Sequence, residues 1–113
     1  MTREMRLVAR AEGIDGRSLL RAIARGRAII MRRGKEAVGI GRGLRTKVNV
    51  NIGTSPVRID PDREGEKAVL AEKYGADTIT DLSMGGDIPA IRRRIFENTT
   101  LPITTVPVYQ VAA

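Results

Sequence analysis

The chain contains neither cysteine nor histidine, and that excludes a wide range of chemistry. Without cysteine there is no disulfide, no thiolate nucleophile and no thiolate ligand for zinc or an iron–sulfur cluster. Without histidine there is no imidazole to serve as acid, base or metal ligand near neutral pH. Aromatic residues make up 3% of the chain, with two Tyr, one Phe and no Trp, so the stacking platforms of single-strand nucleic-acid binders are missing. No apolar run approaches the roughly 18 residues that read as a bilayer span. The opening Met1-Thr2-Arg3-Glu4-Met5-Arg6 leads into an amphipathic stretch rather than the apolar segment of a secretory signal. The expectation is a cytoplasmic protein with no membrane partner.

What is present is ordinary globular composition: 113 residues, 42% hydrophobic and 29% charged, enough for one buried core. The net charge of +7 is unevenly spread, because residues 1–47 hold 13 Lys/Arg against 4 Asp/Glu while residues 48–113 hold 7 against 9. Two readings of the basic part stay open. It is a contact surface for phosphate or nucleic acid, or a solvated arginine-rich face that packs on an acidic neighbour.

Periodicity divides the chain into two styles. Over residues 3–12, Met5, Val8 and Ala9 recur at helical spacing, with Gly13 as a stop. Asp15 caps a second helix with Leu19, Leu20, Ile23 and Ala24 on its apolar stripe. Ile14 and Leu19 form a staple across its start, and Gly26 ends it. Ala28-Ile29-Ile30-Met31, a turn at Arg32-Arg33-Gly34-Lys35, and Glu36-Ala37-Val38-Gly39-Ile40-Gly41 read as an irregular hairpin. Residues 1–45 are thus expected to be a basic helical arm with a short hairpin.

From residue 46 a βα rhythm begins. The strands are expected at 47–52, 76–82 and 101–109. One helix starts at Asp60-Pro61 and runs to Tyr74-Gly75; another is capped by Asp87, carries Ile88, Ile91 and Ile95 on one face, and ends near Asn98. Alternating strands and helices at this period form a parallel sheet. Strands covered on both faces are normally continuous aliphatic runs, yet these carry Asn49, Asn51, Thr78, Thr80, Thr104 and Thr105. The fold class expected is therefore α/β, a helical arm followed by the first three βα units of a (β/α)8 barrel. Barrels of this kind need about 250 residues, so the chain is too short to close one alone. By itself it is expected to be marginal or aggregation-prone.

Active sites of such barrels lie at the carboxyl ends of the strands. Those ends are Asn51, Thr80 with Asp81, and Tyr109, separated by equal steps of 29 residues. An amide, a hydroxyl and a phenol at matching heights would hydrogen-bond a polar ligand. Each also has a plain structural reading: Asn51 bonding the Gly53-Thr54 turn, Thr80 as an ordinary strand threonine, Tyr109 as a core aromatic with its hydroxyl at the rim. The Ser83-Met84-Gly85-Gly86-Asp87 loop reads first as a tight turn and second as a ligand loop. Gly39-Ile40-Gly41-Arg42-Gly43-Leu44-Arg45 offers amides and guanidiniums suited to an anion, or a glycine-rich crossing segment.

Several strings are more specific than any of these. Val38-Gly39-Ile40-Gly41, the run Gly43 to Ser55, Lys73-Tyr74-Gly75-Ala76-Asp77-Thr78, Asp81-Leu82-Ser83 with Gly85-Gly86, and Thr105-Val106-Pro107-Val108-Tyr109-Gln110 strongly resemble the phosphomethylpyrimidine synthase family of thiamine biosynthesis. The resemblance covers residues 1–111. It implies an enzyme that rearranges 5-aminoimidazole ribotide into hydroxymethylpyrimidine phosphate. It also implies a 4Fe-4S cluster, S-adenosylmethionine as the source of a 5′-deoxyadenosyl radical, a divalent metal such as zinc, and a homodimeric (β/α)8 barrel. Substrate contact is implied at Asn51 and Tyr109, and at Thr80, which stands where the family usually has methionine. Met84, Val50 and Thr104 replace a usual threonine, alanine and glycine. The family's metal histidines and its Cys-x2-Cys-x4-Cys string are absent.

Three functions follow in order of preference. The first is an N-terminal portion, or a truncated or split copy, of that synthase; it binds ribotide, pairs with another copy or a complementing C-terminal half, and holds no cofactor alone. The second is a non-catalytic binding protein for a phosphorylated small molecule. The third is a basic nucleic-acid-binding module built on residues 1–47, the least favoured of the three.

Overall fold

The computed structural model describes residues 1–112, which form two compact units, Met1–Lys47 and a second from Val48 onward. The first unit begins with α1 (Arg3–Glu12), capped by the Thr2 hydroxyl accepting from the Met5 N–H, and α2 (Gly16–Ala24), capped by the Asp15 carboxylate accepting from the Ser18 N–H. Two strands follow, β1 (Ala28–Arg33) and β2 (Glu36–Gly41), paired antiparallel from Ala28↔Gly41 to Arg33↔Glu36. The hairpin is regular over all six pairs, longer than the apolar run of its first strand implies.

Val8, Ala9 and Leu19 are the buried centre of this unit, and Met5, Ile14, Ile23, Ile30, Ala37 and Leu44 pack around them. Ile14, before the Asp15 cap, packs against the same cluster to which Leu19 of α2 belongs. Glu12 ties the unit's end to its first helix: its carboxylate accepts from the Arg45 backbone N–H at 2.9 Å and pairs with the Lys47 ammonium.

The second unit runs β3 (Asn49–Ile52), α3 (Pro61–Lys73), β4 (Thr78–Asp81), α4 (Ile88–Glu97), β5 (Ile103–Thr105) and α5 (Pro107–Ala112). The three strands form one parallel sheet in the order β3-β4-β5. Asp60 and Asp87 cap α3 and α4, each followed at once by a helix carrying proline in its first turn. Val50, Ile52, Ile79 and Ile103 project from one sheet face into a core shared with Ala68 and Ala71 of α3 and Ile91 and Ile95 of α4. Both helices therefore cover the same face. Among the described residues no helix is long and apolar enough to cross a membrane.

The third strand departs from expectation. A strand over 101–109 is not what forms: β5 is three residues long and α5 starts at Pro107. Proline has no N–H for a sheet ladder, restricts Val106 before it to extended backbone, and has the φ a first helical turn needs. Val106 thus ends the strand, and Tyr109 belongs to a helix.

Two measurements test this packing. Ile95, with no exposed surface, leaves a cavity when truncated, so Ile95→Ala is expected to cost about 2–5 kcal/mol in urea unfolding. Glu72 is the pH-sensitive joint. The Thr100 N–H at 2.7 Å, with the Thr100 and Thr99 hydroxyls, holds its carboxyl below its ordinary 4.5 against an opposing effect of burial. A carboxyl depressed in the folded state contributes stability that is fully present above that ordinary value and lost as pH falls through the folded one. Acid titration of the wild type should show that loss below about 4.5, and Glu72→Gln should remove its share of the slope.

Candidate functional site

Strand side chains alternate between faces, and in this sheet the alternation puts the aliphatic residues on one face, with Asp81 and Thr105 at its end, and only amides and hydroxyls on the other. Opposite the helix-facing isoleucines lie Asn49 and Asn51 of β3, Thr78 and Thr80 of β4, and Thr104 of β5. They stand level through the register pairs Asn49↔Thr78, Asn51↔Thr80 and Thr80↔Thr104. On this face, opposite α3 and α4, Asn49, Asn51 and Thr104 are exposed and Thr80 half-buried, forming a polar platform across all three strands, while Thr78 is buried at its edge.

Hydrogen bonds order that row. The Asn49 amide oxygen accepts from the Thr78 hydroxyl at 2.9 Å and the Thr80 hydroxyl at 3.0 Å. A hydroxyl has one proton, so with Thr80 donating to Asn49, the 2.7 Å contact between Thr80 and Thr104 has Thr104 as donor. The Asn49 Nδ2 donates to the Asn51 Oδ1 at 2.9 Å. Asn51 is exposed, and its two Nδ2 hydrogens have no protein acceptor among the described residues. They are free to donate to a ligand oxygen or ring nitrogen. Asn51 and Thr80 are therefore brought together as neighbours on one face.

Tyr109 is not level with them. The partner of Thr80 on the third strand is Thr104, and Tyr109 lies in the first turn of α5, 38% exposed, its N–H bonded to the Val106 carbonyl at 3.0 Å. The equal spacing of 29 residues holds for the first pair of strands and fails for the second, because Pro107 stops the strand.

Asp81, next to Thr80 at the end of β4, takes the other face. It faces away from the platform, 1% exposed, and is fully engaged: it accepts from the Ser83 N–H at 2.9 Å, the Ser83 hydroxyl at 2.6 Å and the Arg92 Nε at 2.9 Å. Arg92 continues to the Gln110 side-chain oxygen at 3.0 Å. An Asp81–Arg92–Gln110 chain thereby fixes α5, and with it Tyr109, to the end of β4. Nothing in the spacing of residues marks Arg92 or Gln110 as participants; they surface only once α4 and α5 are placed.

The loops after β3 and β4 are interlocked. The Thr54 N–H donates to the Ser83 hydroxyl at 3.2 Å, the Thr54 hydroxyl to the Gly85 carbonyl at 2.6 Å, and the Met84 N–H to the Thr54 carbonyl at 2.9 Å. Gly53 has φ 146, and a Cβ there would meet the Ser83 nitrogen at 2.5 Å, so the two loops touch backbone to backbone only because it is glycine. Glu64 of α3, itself buried, accepts from the Gly53 N–H at 2.7 Å and from Lys67 at 2.7 Å. Ser83, Met84 and Gly85 thus spend their N–H groups, the Ser83 hydroxyl and the Gly85 carbonyl on Asp81 and on holding the two loops together.

Residues 1–113 match the Radical SAM ThiC family. The phosphomethylpyrimidine synthase of Methanococcus maripaludis strain C6 is 52% identical over 115 residues, covering 99% of this chain and 27% of that protein. Those of Methanocaldococcus jannaschii and Ignicoccus hospitalis are 49% and 48% identical, over 98% and 97% of this chain. The chain spans about a quarter of the length of these curated relatives. With its whole sequence matched, and half of it identical to these proteins, this chain belongs to the radical SAM ThiC family.

Proposed function

We propose that this chain supplies the opening strands of a (β/α)8 barrel in a phosphomethylpyrimidine synthase, and that its polar sheet face contacts 5-aminoimidazole ribotide during conversion to hydroxymethylpyrimidine phosphate for thiamine. The observation that carries the reading is the platform of Asn49, Asn51, Thr80 and Thr104 on the face opposite both helices. A barrel puts all its helices outside and side chains inside, which accounts for both helices sharing one face and for strands that are polar on the other. In this reading residues 1–45 are an arm and residues 46–113 the start of the barrel.

Asn51 donates to the ligand through its free amide hydrogens. Thr80 orients Asn49 and, lacking the reach of the family's methionine, contacts the ligand through Thr104 or not at all. Tyr109 approaches from α5, its position set by Arg92 and Gln110. The remaining strands come from a second polypeptide segment or a longer chain, and the assembly is a homo-oligomer.

The cofactors of the family do not fit the residues present. An iron–sulfur cluster needs thiolate ligands and this chain has no cysteine; among the described residues no three His, Cys, Asp or Glu side chains are grouped to hold a metal. The cluster, S-adenosylmethionine chemistry and a metal such as zinc thus belong to parts of the synthase other than these residues.

A chimera tests the reading: this chain in place of the matching segment of the Methanococcus maripaludis synthase. Calorimetry should show saturable ribotide binding, weakened about tenfold by Asn51→Ala through loss of the donor hydrogen bonds and less by Tyr109→Phe. Unchanged affinity in a folded Asn51→Ala chimera would remove Asn51 from the site.

A further inference from the structure

A second polar feature lies in the Met1–Lys47 unit and plays no part in the strand platform. A concavity of about 180 Å³ is lined by Ser18, Arg21, Ala22, Arg25, Arg27 and Arg42. Four guanidiniums from the last turns of α2, the approach to β1 and the exit of β2 converge on it, all on exposed residues. No acidic residue lines it. Among the described residues none of the four forms an ion pair, whereas Arg32, Lys47, Lys67, Arg92 and Arg94 all do. The one side-chain hydrogen bond among them is from Arg21 to the Ser18 hydroxyl at 3.3 Å, and that hydroxyl in turn reaches Asp15 outside the pocket.

The backbone is shaped to make this convergence. Arg42 N–H donates to the Arg27 carbonyl at 2.9 Å, bringing the residues that flank the hairpin side by side. Gly41 permits it: with φ 141, a Cβ there would lie 2.3 Å from the Arg27 carbonyl oxygen and 2.5 Å from the Ala28 Cα. Asp15, through its attraction to Arg21, offsets part of this charge; the excess positive charge repels at short range, so the arrangement is stabilised by an anion that enters. Guanidinium forks match the oxygens of phosphate in bidentate geometry, and the pocket has room for one or two phosphoryl groups rather than an extended chain.

We propose that this pocket binds the phosphoryl group of a small phosphorylated ligand, inorganic phosphate and diphosphate being its simplest representatives. A nucleic-acid backbone shares the chemistry, but the pocket is compact and lined by no aromatic residue on which a base could stack. The site is independent of the ribotide platform and its test does not pass through it.

The test is a titration of the 113-residue chain with phosphate and with diphosphate at low ionic strength, followed by amide and arginine side-chain NMR. Saturable shifts are expected at Arg25, Arg27 and Arg42, with diphosphate the tighter. Arg27→Gln and Arg42→Gln, both at exposed positions, should each weaken binding roughly tenfold by removing a charge-assisted hydrogen bond. Arg3→Gln and Arg6→Gln on α1 remove the same charge elsewhere and should leave affinity unchanged. Equal loss in both pairs, or no saturation, would overturn the proposal in favour of diffuse electrostatics. A single-stranded oligonucleotide that binds more tightly than diphosphate, with a steep salt dependence, would overturn it in favour of a nucleic-acid surface.

Discussion

The buried carboxylate of Asp81 is the point on which the end of the sheet depends. It closes β4, accepts both polar hydrogens of Ser83, and anchors Arg92, which reaches Gln110 in α5. A carboxylate taken this far from water is tolerable only when its acceptor positions are filled, and here three donors fill them. Losing one partner of a buried ion pair typically costs about 3–5 kcal/mol, toward the lower end here because Arg92 keeps some contact with solvent. The same set of bonds that satisfies Asp81 fixes the turn after β4 and the start of the C-terminal helix.

From that anchor the rest of the unit divides by face. The turn held by Asp81 presents Ser83 and Gly85 to Thr54, so the loops after β3 and β4 are joined as one rigid piece. On one face, isoleucines pack against α3 and α4; on the opposite face, the amides and hydroxyls of three strands make a polar row. The apolar face gives the sheet its core, and in the proposed function the polar face meets the ligand. Neither role interferes with the other, because a period of two separates them in the chain.

Much of this is legible in the sequence because the signals are local. Asp15, Asp60 and Asp87 are caps with a hydrogen bond of their own, and Pro61 follows its cap where a helix wants it. Asn51 and Thr80 are paired correctly because the first βα unit is regular. The errors arise where a distant partner decides. Val106-Pro107-Val108 reads as an apolar strand, but the sheet needs an N–H that Pro107 lacks, so Tyr109 turns into a helix and Thr104 takes its level. Asp81 is named in sequence only as the neighbour of Thr80 at the strand end; parity puts it on the helix side, where Arg92, 11 residues on, claims it. Asn49, the hub of the polar row, is inconspicuous in sequence because its importance lies in bonds to Thr78 and Thr80 on the neighbouring strand.

In the proposed function this chain contacts substrate, and radical chemistry falls to residues it does not contain. Measuring S-adenosylmethionine cleavage to 5′-deoxyadenosine, under reducing conditions with iron and sulfide supplied, tests that division most directly. The prediction is no cleavage by the 113-residue chain alone, and cleavage with formation of hydroxymethylpyrimidine phosphate by the chimera that joins it to the remaining part of a relative. Cleavage by the chain alone would contradict the account, as would a folded, cluster-loaded chimera that forms no product.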